Sequence, residues 1–179
     1  MSLRHALLTS LMEKPCTGAE LARRFEKSIG HFWQASHQQI YRELAALEAD
    51  GLIEVRGLAT ARGSQRHFAV LAGGRNELER WCLLSADPHP VREALLVRLR
   101  AAAVLGTVDL ASEVRRHLGL HQDSLRRYQA IQGRDFAEGS PLTPAGELQL
   151  AVLRAGIEFE RAWLAWCQQT LCEGLSEKK

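Results

Sequence analysis

The stretch Ser28–Leu52, SIGHFWQASHQQIYRELAALEADGL, decides the fold. It reads as the close of one helix, a short aromatic turn, and a second helix that opens on uncharged, hydrogen-bonding residues. Ile40, Leu44 and Leu47 recur at helical spacing and Leu52 follows a Gly51 stop, so one stripe faces a core while His37, Gln38, Gln39 and Arg42 point elsewhere. Ser36 suits the N-cap, where its hydroxyl accepts from backbone N–H groups of the first turn, and Gln39 stands at the reciprocal capping-box position. An apolar back with a polar front is how a recognition helix is built, and its first turn is the part left to meet a nucleic acid.

Upstream, Leu3, Leu7, Leu8 and Leu11 predict a first helix that stops at Lys14-Pro15. Thr17 then caps a second helix with Glu20 as its partner; Leu21, Ala22 and Phe25 form its inner face, and Gly30 ends it. Arg23, Arg24 and Lys27 are read as outward, either a solvated face or phosphate contacts. Phe32 and Trp33 in the connection read as a packing wedge or part of a subunit contact.

Downstream of Gly51 the period changes. Ile53, Val55, Phe68 and Val70 suit two short strands, and ATARGSQR between them supplies Gly63, Ser64, Arg62 and Arg66 at a hairpin tip. A helix-turn-helix followed by a hairpin is the winged-helix arrangement, in which Arg62 and Arg66 reach phosphates or the minor groove. Gly73-Gly74 reads as the end of the wing, and a helix resumes at Asn76 with Leu78, Trp81 and Cys82 on one face. Pro88 and Pro90 interrupt it, which places a domain boundary between 1–86 and 87–179.

The second half reads as helical: Val91 to Leu105, Leu110 to Gln132 with Gly119 as an interruption, and a long last helix from Ala145 to about Cys172. In that last helix Leu150, Leu153, Ile157, Leu164, Cys167 and Leu171 keep a near-heptad seam broken by Glu160. Leu148, Val152, Phe159, Trp163 and Trp166 make a second apolar face. A helix apolar on two sides does not satisfy both against one small layer, so one side is assigned to another subunit. Dimerisation is therefore expected through Leu150, Leu153, Ile157, Trp163, Leu164, Trp166 and Leu171.

The balance of residues excludes several classes. Residues 1–84 hold 11 Lys and Arg against 9 Asp and Glu, whereas residues 135–179 hold 4 against 7, a mild asymmetry that permits DNA binding at the front. Cys16, Cys82, Cys167 and Cys172 contain no C-x-x-C pair, so reduced, mostly buried thiols are expected rather than zinc or redox chemistry. His117 and His121 share a helix face, but Gly119 lies between them and no acidic or thiol partner is near in the sequence; no metal is expected. No Ser/His/Asp arrangement, phosphate-cradling glycine loop or carboxylate cluster points to an enzyme, and no cofactor is implied. No signal peptide or spanning apolar run is present, and a cytoplasmic location with no membrane partner is expected.

Three segments carry a family resemblance: MSLRHALLTSLMEKPCTGAELARRFEKSIGHFW, SHQQIYRELAALEADGLIE and the wing GSQRHFAVLAGG. Together they resemble the PadR family of transcriptional regulators, which pairs a small-residue and glycine motif opening helix two with a Phe-Trp turn, an Ile-Tyr early in the recognition helix and a Leu-x-x-Leu-x-x-x-Gly-Leu run. The remainder resembles the Vir-type C-terminal helical domain of its longer members. The resemblance implies a mainly α chain: an N-terminal winged helix of three helices plus a β-hairpin, then an α-helical dimerisation domain. It also implies transcriptional control that in many members responds to small apolar or phenolic molecules. By position Tyr41 matches the family's recognition-helix tyrosine, and Ser36, His37 and Gln38 its groove-facing start. Ala19, Arg42 and the run Gly63-Ser64-Gln65 depart from the family's usual tyrosine, proline and Gly-Arg-Pro.

The expected function is a DNA-binding repressor acting as a homodimer on an inverted-repeat operator of double-stranded DNA, released by a small-molecule effector. The alternative is a winged-helix interaction module that does not bind DNA. The candidate DNA contacts are Arg23, Arg24, Ser36, His37, Gln38, Gln39, Tyr41, Arg42, Arg62, Ser64, Gln65 and Arg66. Cations of helix two and the wing neutralise phosphates, while Gln38, Gln39 and Arg42 discriminate bases. Trp33, Trp81, Trp163 and Trp166 are candidates for an effector cleft between domains or subunits, or equally for dimer-core aromatics.

Overall fold

The leucines predicted to form the first helix do so. In the computed structural model, which describes residues 3–27, 35–60, 63–88, 90–137 and 141–173 and the side chains of these apart from 58–60 and 63–65, α1 spans Leu3–Glu13 and buries Leu7, Leu8 and Leu11. The chain divides into two compact units, Met1–Pro88 and His89–Lys179.

In the first unit α1 is followed by β1 (Cys16–Thr17), α2 (Gly18–Lys27), α3 (His37–Ala49), β2 (Ile53–Thr60), β3 (Gly63–Val70) and α4 (Ala72–Cys82). The sheet is antiparallel with order β1-β3-β2, and Cys16 pairs with Phe68 at its inner edge. Its core is one cluster in which Leu7, Leu8, Leu11, Leu21, Phe25, Ile40, Leu44, Leu47 and Ile53 are almost fully removed from water. Burial on that scale, roughly 1.5–3 kcal/mol per large side chain, is what fixes the angles at which α2, α3 and the wing leave the core.

Three readings of this unit change. The strands run further than the residues 53–55 and 68–70 that suggested them: β2 and β3 pair in continuous register from Ile53↔Val70 to Thr60↔Gly63, so most of the stretch read as a tip is ladder. Gly73 and Gly74 do not end the wing but sit in the first turn of α4, and position 74 requires glycine because a side chain there would overlap the Leu52 carbonyl oxygen and approach Val70 Cγ1 to 2.7 Å. Cys82 is exposed, as is Cys172, whereas Cys16 and Cys167 are buried.

The second unit holds α5 (Ala94–Leu105), α6 (Ala111–Asp135) and α7 (Pro144–Glu173). α5 starts at Ala94 and not at Val91, because the Glu93 side chain accepts from Leu95 N at 3.1 Å and caps it. Gly119 does not interrupt α6. The helix passes through it to Asp135, since packing along 25 residues outweighs a propensity cost of about 1 kcal/mol. Leu153 and Ile157 of α7 pack with Tyr128 of α6, and Cys167 packs with Leu95 and Val114, with Trp163, Trp166 and Leu171 alongside. Leu150 is buried too, and Leu164 is half-buried. The seam assigned to another subunit is therefore largely filled by α5 and α6 of the same chain. No helix among the described residues is long and apolar enough to cross a membrane.

Candidate nucleic-acid interface

A helix presents a polar front face only if both its ends and its back are fixed. α3 is fixed at its start by the reciprocal cap: Gln39 N donates to Ser36 Oγ at 3.2 Å, and Ser36 N donates to Gln39 Oε1 at 2.8 Å. It is fixed at its end by Gly51, whose φ of 67° is left-handed; Leu52 N donates to Leu47 O and Gly51 N to Glu48 O, both at 3.0 Å. Ile40, Leu44 and Leu47 hold its back in the core. What remains outward is Ser36, His37, Gln38, Gln39, Tyr41 and Arg42, all exposed.

Within that face the residues are not equivalent. Ser36 is committed to the cap, and so is the carbonyl of Gln39, which leaves its NH2 group outside the cap. Tyr41 is 47% exposed and lies against Gly18, the first residue of α2. Arg42 makes no ion pair among the described residues, whereas half of the described arginines of this unit do. Arg4 pairs with Asp50, Arg56 with Glu54, and Arg80 with Glu77.

The second cationic element is α2. Its start is capped by Thr17 and Glu20, where Thr17 N donates to Glu20 Oε2 at 3.0 Å and Glu20 N to Thr17 Oγ1 at 3.2 Å; the Thr17 backbone N–H holds the Glu20 carboxyl below its ordinary value. Arg23 is exposed and rests its Nε 3.4 Å from Ala19 O. Arg24 is not the outward cation the sequence suggested. Its guanidinium turns inward to donate to Ser10 O, Lys14 O and Cys16 Sγ at 3.1, 2.6 and 2.8 Å, satisfying carbonyls where α1 ends.

On the wing, Arg66 donates to Glu48 Oε2 at 2.8 Å and Oε1 at 3.2 Å, reaching from β3 to the last turn of α3, with its guanidinium 5.8 Å from the centre of the Phe68 ring. Ser64 and Gln65 lie in β3, paired with Ala59 and Leu58. Arg62 lies outside the described residues.

Trp33 lies outside the described residues. Trp81 is in the first unit, stacked on His5 with ring centres 4.5 Å apart and an 8° tilt, while His5 Nε2 lies 3.1 Å from Glu77 Oε1. Trp163 and Trp166 meet edge to face at 5.1 Å in the second unit, and with Leu96 and Ala162 they line an open apolar hollow of about 260 Å³. Trp163 also stacks on His121, whose Nδ1 lies 2.6 Å from Glu160 Oε2.

Several participants were missed. Gly18 and Glu48 act through packing and pairing across elements, which spacing along the chain does not report. Glu160 looked like a break in the seam but is buried against His121, and Glu113 lies 3.6 Å from His117, so acidic partners are near both histidines after all. No group of three or more His, Cys, Asp or Glu among the described residues is arranged to hold a metal.

Residues 7–80 match the transcriptional regulator PadR-like family, and residues 91–173 match the virulence activator alpha C-terminal family. The chain is 37% identical over its full length to the probable transcriptional regulator Rv1176c of Mycobacterium tuberculosis, covering all of that protein. Among solved structures, Bacillus subtilis PadR in complex with operator DNA superposes with a TM-score of 0.80 at 23% identity, over 95% of this chain and 96% of that one. The Vibrio cholerae virulence activator AphA gives 0.76 at 28% identity, over 96% and 97%.

Proposed function

The chain belongs to the PadR-like family of transcriptional regulators, and from that premise we propose that it is a DNA-binding repressor that works as a homodimer on an inverted-repeat operator in the cytoplasm. The observation that carries the reading is the outward face of α3, where His37, Gln38, Tyr41 and Arg42 stand exposed on a helix fixed by caps at both ends and a buried back. A side-chain amide pairs with adenine and a guanidinium with guanine in the major groove, which gives Gln38 and Arg42 the base-reading role, with the Gln39 NH2 beside them. Arg23, Arg62 and Arg66 supply phosphate contacts, and these make the affinity salt-sensitive. The solved operator complex of Bacillus subtilis PadR and the description of that protein as a negative regulator support both DNA binding and repression.

The dimer reading moves to the outer stripe of α7. Leu148, Val152 and Phe159 are 72%, 54% and 59% exposed although they repeat on one side of the helix, a pattern that a second copy of the chain would cover. Two α3 helices related by a two-fold axis read half-sites on the order of 10 base pairs apart. The hollow beside Trp163 and Trp166 is the place for a small apolar effector, a reading supported by the solved complex of Bacillus subtilis PadR with p-coumaric acid.

A gel shift with duplex from upstream of the protein's own gene, run beside sedimentation, tests the proposal. A retarded band and a two-chain mass are expected; a stable monomer that leaves duplex DNA unshifted at low ionic strength would mark an interaction module instead.

A further inference from the structure

A cation counts toward phosphate binding only to the extent that no other anion already holds it. Arg66 is held. Its guanidinium lies on the Glu48 carboxylate at 2.8 and 3.2 Å, with side chains 61% and 39% exposed. Arg66 stands midway along the hairpin opposite Gly57, and Glu48 is one residue from the end of α3, about 15 Å along the helix axis from Gln38. The pair therefore joins the two elements that the DNA-binding reading turns toward the duplex.

We propose that Glu48 is an intramolecular competitor for Arg66: its carboxylate occupies the guanidinium as a stand-in for phosphate and sets how strongly the wing grips DNA of any sequence. The inference rests on the DNA-binding reading above. A guanidinium presents the same fork of donors to a carboxylate and to a phosphate, so one anion replaces the other without a change of geometry. The Phe68 ring beneath the guanidinium keeps it in place during that exchange. Because the ion pair is exposed and water competes for both partners, it is weak enough to yield to a phosphate, but its loss must still be subtracted from every complex. Glu48 thus lowers affinity without contributing base preference. A free carboxylate beside the DNA would also repel it, which pairing with Arg66 suppresses until phosphate arrives.

The test is the salt dependence of binding to a random-sequence duplex, measured by fluorescence anisotropy for the wild type, Glu48→Gln, Arg66→Ala and the double variant, with thermal melts to confirm folding. Glu48→Gln should bind roughly three- to fivefold more tightly. Its plot of log affinity against log salt should keep the wild-type slope, because Arg66 meets a phosphate in both complexes, whereas Arg66→Ala should be shallower by about one counterion. The gain should vanish when Arg66 is alanine, and preference between two sequences should not change. An Arg66→Ala slope equal to that of the wild type, weaker binding in Glu48→Gln, or an equal gain from Glu48→Gln in the Arg66→Ala background would overturn the inference while leaving DNA binding intact. A folded wild-type chain that ignores duplex at low salt would overturn the DNA-binding reading and this inference with it.

Discussion

Tyr41 of α3 lies against Gly18 at the start of α2, so closely that a methyl group on Gly18 would come within 2.6 Å of Tyr41 Cε1 and 3.3 Å of its hydroxyl oxygen. The glycine is thus a seat for the tyrosine, and the seat aims the phenol on the exposed face. Gly18→Ala should leave the melting temperature nearly unchanged, since alanine favours the helix by up to about 1 kcal/mol and the half-exposed ring has room to swing. It should nevertheless weaken DNA binding roughly tenfold, the loss expected for one hydrogen bond to a charged group. Tyr41→Phe should lose about as much without moving the ring. Paired melting and anisotropy titrations check this; normal binding by Gly18→Ala would show that Gly18 does not aim the ring, and normal binding by Tyr41→Phe that the hydroxyl makes no contact.

The cap at α3 separates neighbouring glutamines. Ser36→Ala removes an acceptor for Gln39 N and should cost about 1 kcal/mol of unfolding free energy. Gln39→Ala should destabilise as well, because its carbonyl accepts from Ser36 N, whereas exposed Gln38→Ala should melt like the wild type. Urea titrations of the three variants decide the matter, and equal stability for Gln38→Ala and Gln39→Ala would contradict the assignment.

Gly74 has no room for a side chain, since backbone and not a flexible tip stands in the way. Gly74→Ala should destabilise the first unit by about 3 kcal/mol, whereas Gly119→Ala, which meets nothing within 4 Å, should stabilise the chain by about 1 kcal/mol. Thermal unfolding of both variants tests this, and a loss of similar size at each would refute the distinction.

In the second unit the Arg116 guanidinium, with Arg98 from α5 also donating, holds the Glu113 carboxyl down to about 2. A carboxyl whose folded value lies below its unfolded one stabilises the fold above the unfolded value, and that contribution disappears as pH falls from about 4.5 toward 2. Glu113→Gln should therefore flatten the acid limb of the stability profile and change little at low pH. A profile that keeps its acid limb in the variant would remove Glu113 as its source.

Much of this was legible in the sequence. The Ser36/Gln39 and Thr17/Glu20 pairs, the Ile40, Leu44 and Leu47 stripe and the Gly51 stop are local signals set by hydrogen bonds within a turn, and each appears as written. What failed depended on contacts between elements. β1 is two residues long and owes its existence to β3, so no period could announce it. Arg24 looks like any helix-surface cation until the end of α1 is placed beside it. Glu160 is polar in an apolar seam, and only the arrival of His121 from α6 explains its burial. The α7 seam is covered largely by α5 and α6 of the same chain, which its period did not announce, because a periodic stripe says that something covers it and not what.

The central claim is that exposed side chains at the front of α3 distinguish one DNA sequence from another. The most direct measurement is the ratio of affinities for duplex from upstream of the protein's own gene and a scrambled duplex of equal length, at one salt concentration, for the wild type and Arg42→Ala. The account predicts a clear wild-type preference for the upstream duplex, and a ratio that falls by about tenfold in Arg42→Ala, the loss of one bidentate base contact, while binding to the scrambled duplex persists. A wild type with no preference, or an Arg42→Ala variant that loses both duplexes equally, would contradict it.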